Sequence, residues 1–249
     1  MLYSVTEPDG SPEGGYMRLR NIPRAEAVIA DSALVVHNPK EQRGSWQKLF
    51  GNTNPVHIEV GMGKGQFLTQ LAAMHPEINY VGIERYTSVL LRAVEKLEKQ
   101  EEKPENLLFI CMDARELQEV FGEGEVEKIY LNFSDPWPKE RHADRRLTSG
   151  KFLKRYEQIL APDGMVEFKT DNRGLFDFSM KETGPAGWML KQFTYDLHGD
   201  EQLSQGNVMT EYEEKFSAKG NPICKMIIAP GADGRVENAG DTAAIPKEQ

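Results

Sequence analysis

A chain of 249 residues, 39% hydrophobic and 28% charged, carries enough apolar material to bury a core as one domain and too much of it for disorder throughout. Its 30 basic against 39 acidic side chains leave a net charge of −9, which argues against a protein that coats nucleic acid indiscriminately. No apolar run approaches the ~18–20 residues of a membrane span, and the first residues lack the basic start and apolar centre of a signal peptide, so a soluble, cytoplasmic protein is expected.

Residues 1–16 place Pro8 and Pro12 among glycines and acids without apolar periodicity, and they read as a disordered leader. Met17 then opens Met-Arg-Leu-Arg-Asn, the expected beginning of a folded domain over 17–229 and a candidate alternative start. Residues 230–249, rich in Gly, Ala, Asp and Pro, read as a disordered tail. Within the domain, short apolar runs at 56–60 (VHIEV), 78–83 (INYVGI), 107–112 (LLFICM), 128–133 (KIYLNF) and 165–170 (MVEFKT) predict strands covered on both faces. Between them, apolar residues at helical spacing predict helices over 66–74, 87–100, 114–121 and 149–160, as in Val89, Leu90, Ala93, Val94 and Leu97. Two further strands are expected at 188–197 and 222–228. This alternation specifies a single-domain, doubly wound α/β fold on a mostly parallel, Rossmann-like sheet of seven strands.

Ligands of such sheets sit beyond the carboxyl ends of the strands, so those ends are where chemistry is expected. The first ends in Glu59-Val-Gly61-Met-Gly63-Lys-Gly65, a glycine turn at a helix start. Its G-x-G-x-G spacing, preceded by an acid, is neither the dinucleotide fingerprint nor a phosphate loop, which disfavours a nicotinamide dehydrogenase. A carboxylate at Glu59 repels a pyrophosphate and attracts a cation. The second strand ends in Glu84, nineteen residues beyond Gly65, where an acid bonds ribose hydroxyls or caps a helix. Beyond the third, Asp113 either accepts from an adenine amino group or caps the next helix. The fourth runs into Ser134-Asp135-Pro136-Trp137-Pro138-Lys139, where two prolines stiffen a loop that presents a carboxylate and an aromatic plane. Four successive strand ends each carrying an acid point to a ligand rather than to packing.

Downstream of that loop, residues 139–155 hold seven basic side chains against two acidic ones, a local excess of five in an acidic protein. The two cysteines, Cys111 and Cys224, lack paired spacing and read as small buried residues, and the five histidines show no ligand spacing, so no metal is expected.

These motifs, together with Phe168-Lys-Thr-Asp171-Asn and Gly206-Asn-Val-Met-Thr210-Glu-Tyr-Glu213, resemble the bacterial tRNA (guanine-N7-)-methyltransferases over residues 17–228. The resemblance implies a class I methyltransferase that uses S-adenosyl-L-methionine, needs no metal, and methylates N7 of guanine 46 in the tRNA variable loop as a monomer or homodimer. It implies that Glu59, Gly61, Gly63, Gly65, Glu84, Asp113 and Asp135 contact the methyl donor, with Asp135 as the catalytic residue. Substrate contacts are implied for Lys139, Asp171, Thr210, Glu211, Tyr212 and Glu213, and RNA contacts for Arg141, His142, Ala143, Asp144, Arg145 and Arg146. Either Asp171 or Glu213 is the expected reader of the guanine edge. Family members commonly carry more lysine where Glu140 and Asp144 stand here, which lowers the expected affinity for RNA. The competing readings are an exocyclic-amine methyltransferase, because Asp-Pro-Trp also resembles an Asp-Pro-Pro-aromatic loop, and a non-catalytic RNA-binding module.

Overall fold

A computed structural model of the protein describes residues 22–231 and the backbone of Leu2–Val5 and Gly15–Arg18. Those two short segments pair antiparallel as a two-stranded sheet. The rest of that leader, and the tail from 232 onward, lie outside the described residues.

The chain enters through α1 (Ala25–Asp31) and α2 (Trp46–Phe50), then alternates. Strand β1 (Val56–Val60) leads to α3 (Gln66–Met74), β2 (Asn79–Glu84) to α4 (Thr87–Glu98), and β3 (Leu107–Cys111) to a short α5 (Leu117–Val120). Strand β4 (Val126–Asn132) precedes α6 (Gly150–Glu157), β5 (Leu160–Thr170) precedes α7 (Arg173–Thr183), and β6 (Trp188–Thr194), α8 (Glu211–Ser217) and β7 (Cys224–Pro230) complete the fold. The seven strands lie in the order β3-β2-β1-β4-β5-β7-β6, parallel from β1 to β5, with β7 antiparallel to both its neighbours. The order reverses between β1 and β4, the position where an open α/β sheet leaves a crevice. No helix among the described residues is long and apolar enough to cross a membrane.

The two faces of this sheet differ in chemistry. Strand residues alternate between faces, and paired registers place Val56, Ile58, Val60, Val81, Ile83, Ile129, Leu131, Val166, Phe168, Met226 and Ile228 together in one apolar core with α5, α6 and α7. At ~1.5–3 kcal/mol for each fully buried large apolar side chain, this layer supplies much of the driving force for folding. The opposite face carries Tyr80, Glu84, His57, Glu59, Lys128, Tyr130, Asn132, Glu167, Lys169 and Lys225 beneath α3 and α8. The strands are covered on both faces, as their apolar runs predict; on this second face Leu107, Phe109, Tyr80 and Tyr130 pack with Phe67 and Leu90 in a smaller apolar cluster, and the polar groups gather toward β1, β4, β5 and β7. Gly82 belongs to this second face, and a Cβ there would meet Met62 Sδ at 2.2 Å, so its absence lets the 61–65 turn lie flat on β2.

Candidate active site

Because β3, β2, β1 and β4 are neighbours, the four acids stand side by side along one rim as Asp113, Glu84, Glu59 and Asp135. The turn that joins β1 to α3 is bound to the rim through its backbone. Gly61 and Met62 donate N–H to the Ile83 carbonyl at 2.8 and 3.1 Å, and Gly63 donates to Glu84 Oε2 at 3.2 Å. Gly61 and Gly63 take φ of +80° and +58°, with no atom within 4 Å of a would-be Cβ. Backbone shape therefore requires these glycines, and the space above them stays open for a ligand.

Glu59 is buried at 2% exposure, and only Oε1 is satisfied, by Asn132 Nδ2 at 2.8 Å. Its Oε2, Asn132 Oδ1 and Ser134 Oγ are buried atoms without a hydrogen-bond partner among the described residues. Burial pushes the Glu59 carboxyl from its ordinary 4.5 up to about 7, against the Asn132 bond. An orphaned carboxylate oxygen beside open glycine backbone fits a cationic ligand. Glu84 is also held up by burial, opposed by the N–H groups of Tyr86, Arg85 and Gly63, while Asp135 repels its charge.

A raised folded-state pKa means that Glu59 binds its proton more tightly in the native chain than in the unfolded one. Its contribution to stability is therefore full below pH 4.5 and is lost as pH rises toward 7. Urea unfolding of wild type should lose on the order of 3 kcal/mol more than Glu59→Gln between those limits, and parallel pH profiles would show that the carboxyl titrates normally.

Asp113 takes the capping alternative left open by the sequence. Its carboxylate accepts Arg115 N–H, Nε and Nη2, each at 2.9 Å, and Arg85 Nε lies 3.4 Å away. The Arg115 hydrogen bond accordingly holds this carboxyl below the usual range.

The loop after β4 is bent sharply. Phe133 and Trp137 adopt φ of +51° and +43°, a region rarely occupied by bulky residues, on either side of Ser134-Asp135-Pro136. Five contacts sustain the strain. The Phe133 N–H donates to the Lys169 carbonyl at 2.9 Å, and Phe133 packs on Tyr212 with ring centroids 4.8 Å apart. Arg146 donates from Nε to the Pro136 carbonyl and from Nη2 to the Trp137 carbonyl, both at 3.0 Å, with its guanidinium 4.2 Å above Phe178. Asp135 itself is half-buried, burial raises its carboxyl, and it makes no hydrogen bond or ion pair among the described residues.

The rest of the basic stretch surrounds this clamp. Arg146, expected on RNA, is the clamp of the Asp135 loop. Its neighbours form a 3-10 helix over Glu140–Arg145, in which Arg145 covers the Trp137 ring at 5.0 Å, His142 meets that ring edge-on, and Asp144 pairs with Lys151 at 2.5 Å. Ala143 carries no polar side chain to offer a phosphate. Lys139, Arg141 and Arg145 remain exposed.

The Thr210–Glu213 group is likewise dispersed in purpose. Thr210 caps α8 by accepting the Glu213 N–H at 3.0 Å, and Glu211 bridges Lys64 and Lys96. Tyr212 stays exposed and donates to Asp171 Oδ2 at 3.0 Å. Glu213, expected at the substrate, is fully buried: Oε2 meets Lys169 Nζ at 2.6 Å, and Oε1 accepts Asn207 Nδ2 at 2.7 Å with His198 at 3.4 Å. Of the two acids expected at the guanine edge, Glu213 is thus fully enclosed, whereas Asp171 is partly exposed. Sequence reasoning does not single out Lys169, Asn132 or Phe133 as site residues, although each is polar or bulky where the strand pattern or the turn marks it as unusual. Cys111, expected buried, is partly exposed, whereas Cys224 is buried.

Comparison with known proteins agrees with this geometry. The model of a putative methyltransferase family matches residues 53–226. The chain is 56% identical over 211 residues to a tRNA (guanine-N(7)-)-methyltransferase of Lachnoclostridium phytofermentans, covering 85% of this chain and 97% of that one. It is 49% identical over 208 residues to the protein of that name from Bacillus subtilis, covering 83% and 96%. Among solved structures, an antibiotic-related methyltransferase superposes with a TM-score of 0.56 at 18% identity, over 76% of this chain and 94% of that one, a likeness of fold. With the seven-stranded sheet of the class I methyltransferases and this extent of identity, the chain belongs to the tRNA (guanine-N(7)-)-methyltransferase family.

Proposed function

We propose that this protein transfers a methyl group from S-adenosyl-L-methionine to N7 of guanine 46 in the variable loop of tRNA. The observation that carries the reading is Asp135, an unpaired, half-buried carboxylate on a strained loop clamped by Arg146, at the end of a rim with two further buried acids. The methyl donor, when bound, supplies an electrophilic methyl group on a sulfonium. Glu59, Glu84 and Asp135, with the backbone of Gly61, Gly63 and Gly65, would hold it; Asp113 closes the far end of the rim with its carboxylate already engaged.

Guanine N7 exposes a lone pair in the base plane and has no proton to lose, so the reaction needs no dedicated base. Alignment is then the main task, and it supplies ~7–11 kcal/mol in favourable cases. Positive charge grows on the purine during transfer, and a fixed Asp135 carboxylate attracts that charge more strongly in the transition state than in the ground state. Asp171, oriented by Tyr212, is the candidate acceptor for guanine N1–H and the exocyclic amine, groups that adenine does not offer in the same pattern. Lys139, Arg141 and Arg145 beside the loop are placed for phosphate contacts.

Purified protein incubated with labelled methyl donor and unmodified tRNA should yield 7-methylguanosine, mapped by strand scission to the variable loop. An N-methylated exocyclic amine in the digest would favour the rival chemistry, and no transfer would sink the reading. In the same preparation, Arg141→Ala with Arg145→Ala should flatten the dependence of log Kd on log salt by ~0.7–0.9 for each phosphate that is no longer neutralised.

A further inference from the structure

A cavity of about 310 Å³ lies on the polar face of the sheet, set back from the strand ends that carry the acids. Its floor is His57, Tyr80, Lys128, Tyr130, Glu167 and Lys225; α3 walls one side and residues 205–208 the other. His57 and Tyr130 stand two residues before Glu59 and Asn132 on β1 and β4, so methyl transfer at the rim makes no use of these groups.

The cavity gathers hydrogen-bond donors whose capacity is only partly used. Lys225 is only 7% exposed, and among the described residues its ammonium has one partner, Glu167 Oε1 at 3.0 Å. Lys128 meets Glu167 Oε2 at 2.8 Å and the face of the Tyr130 ring. With three N–H bonds on each ammonium, both retain capacity toward the open space. Burial raises the hydroxyls of Tyr80 and Tyr130, so both keep their protons as donors, and the Tyr80 hydroxyl makes no hydrogen bond among the described residues. Burial acts to raise Glu167, but the two ammoniums outweigh it and hold the carboxyl at about 2. It stays ionised, and two cations against one anion leave a net positive charge in a half-enclosed space of ligand size. His57, lowered by burial and by Lys128 to about 4, is neutral and sits 3.5 Å from the Tyr130 hydroxyl.

We propose that this cavity binds a small oxyanion of the phosphate class, free or carried by a nucleoside monophosphate, on the ammoniums of Lys128 and Lys225 and the hydroxyls of Tyr80 and Tyr130. An occupant would also touch Asn207 and Val208, whose side chain and carbonyl accept from Lys169, and so would reinforce the seat of α8. This anion site and the methyl-transfer site share no residue, so either can exist without the other.

Calorimetric titration of the full chain with inorganic phosphate and, separately, with uridine 5′-monophosphate tests it. Saturable binding is expected, weakened at least tenfold in Lys128→Gln with Lys225→Gln and unchanged in Arg141→Ala with Arg145→Ala. The bound anion should also move the His57 ring titration, followed by NMR, to higher pH. Tighter binding of the nucleotide assigns the site to nucleotides, and equal binding assigns it to free phosphate. Should the lysine variant fail to fold, Tyr80→Phe with Tyr130→Phe keeps every charge and is expected to weaken binding severalfold. No saturation with either anion, or binding that survives the cavity variants and disappears with the arginine pair, overturns the proposal.

Discussion

Asp135→Asn is expected to lower kcat for methyl transfer roughly 100- to 1,000-fold while leaving the melting temperature within a few degrees of wild type. Among the described residues the side chain has no hydrogen bond or ion pair to lose, and burial raises its carboxyl, so neutralising it relieves the fold rather than harming it. What disappears is the negative charge beside the purine at the moment the purine becomes cationic. KM for tRNA should move little, because the phosphate contacts proposed for Lys139, Arg141 and Arg145 are untouched. A kcat within threefold of wild type would remove Asp135 from the chemistry. Arg146→Ala separates geometry from charge: Asp135 remains, but the Pro136 and Trp137 carbonyls lose their donors and the loop its bend. That variant should lose activity without a change in the salt dependence of tRNA binding.

The largest expected effect on stability is at Lys169. Replacing it by methionine strands Glu213 as a fully buried carboxylate, and breaking such a pair from one side destabilises by ~3–5 kcal/mol. For a domain of this size, that corresponds to a fall of about 10 °C in melting temperature. Lys169→Met with Glu213→Leu should recover much of the loss, because a buried ion pair is roughly replaceable by apolar groups of similar volume. Burial pulls the Lys169 ammonium down and Glu213 supports it, so the pair is held by its geometry rather than by solvent. Thermal unfolding of both variants decides the matter; a single substitution that melts within two degrees of wild type would contradict it.

Much of the scaffold is legible in apolar periodicity. The run at 56–60 and the helix at 66–74 have the bounds expected, and the other strands of the parallel core begin or end within a few residues of their apolar runs. Helix α7 escapes the periodicity because its apolar residues, Leu175, Phe176, Phe178 and Met180, are interrupted by polar ones, and its start is fixed by the Asn172 side chain capping Leu175 N–H. The short α8 is set by a Thr210 cap and a buried ion pair, a tertiary partnership that periodicity does not carry. The row of acids is visible, since strand ends converge in any doubly wound sheet. What each acid touches is not: Asp113 accepts from Arg115 and Glu213 from Lys169, and both partners are settled only when distant or locally folded segments meet. Arg146 shows the same limit, for a guanidinium in a basic run faces solvent or turns back on carbonyls according to the loop it finds.

The two-sided sheet has a bearing on how this scaffold can be altered. Substitution at Ile58, Val81, Ile129 or Val166 exchanges one oily filler for another, and layers of that kind absorb simultaneous changes so long as volume is conserved. Their immediate neighbours in sequence, Glu59, Tyr80, Tyr130 and Glu167, obey the opposite rule, because each is wired to specific atoms or poised to be. Libraries intended to retune this protein should therefore diversify every second position along the central strands and leave the intervening ones fixed.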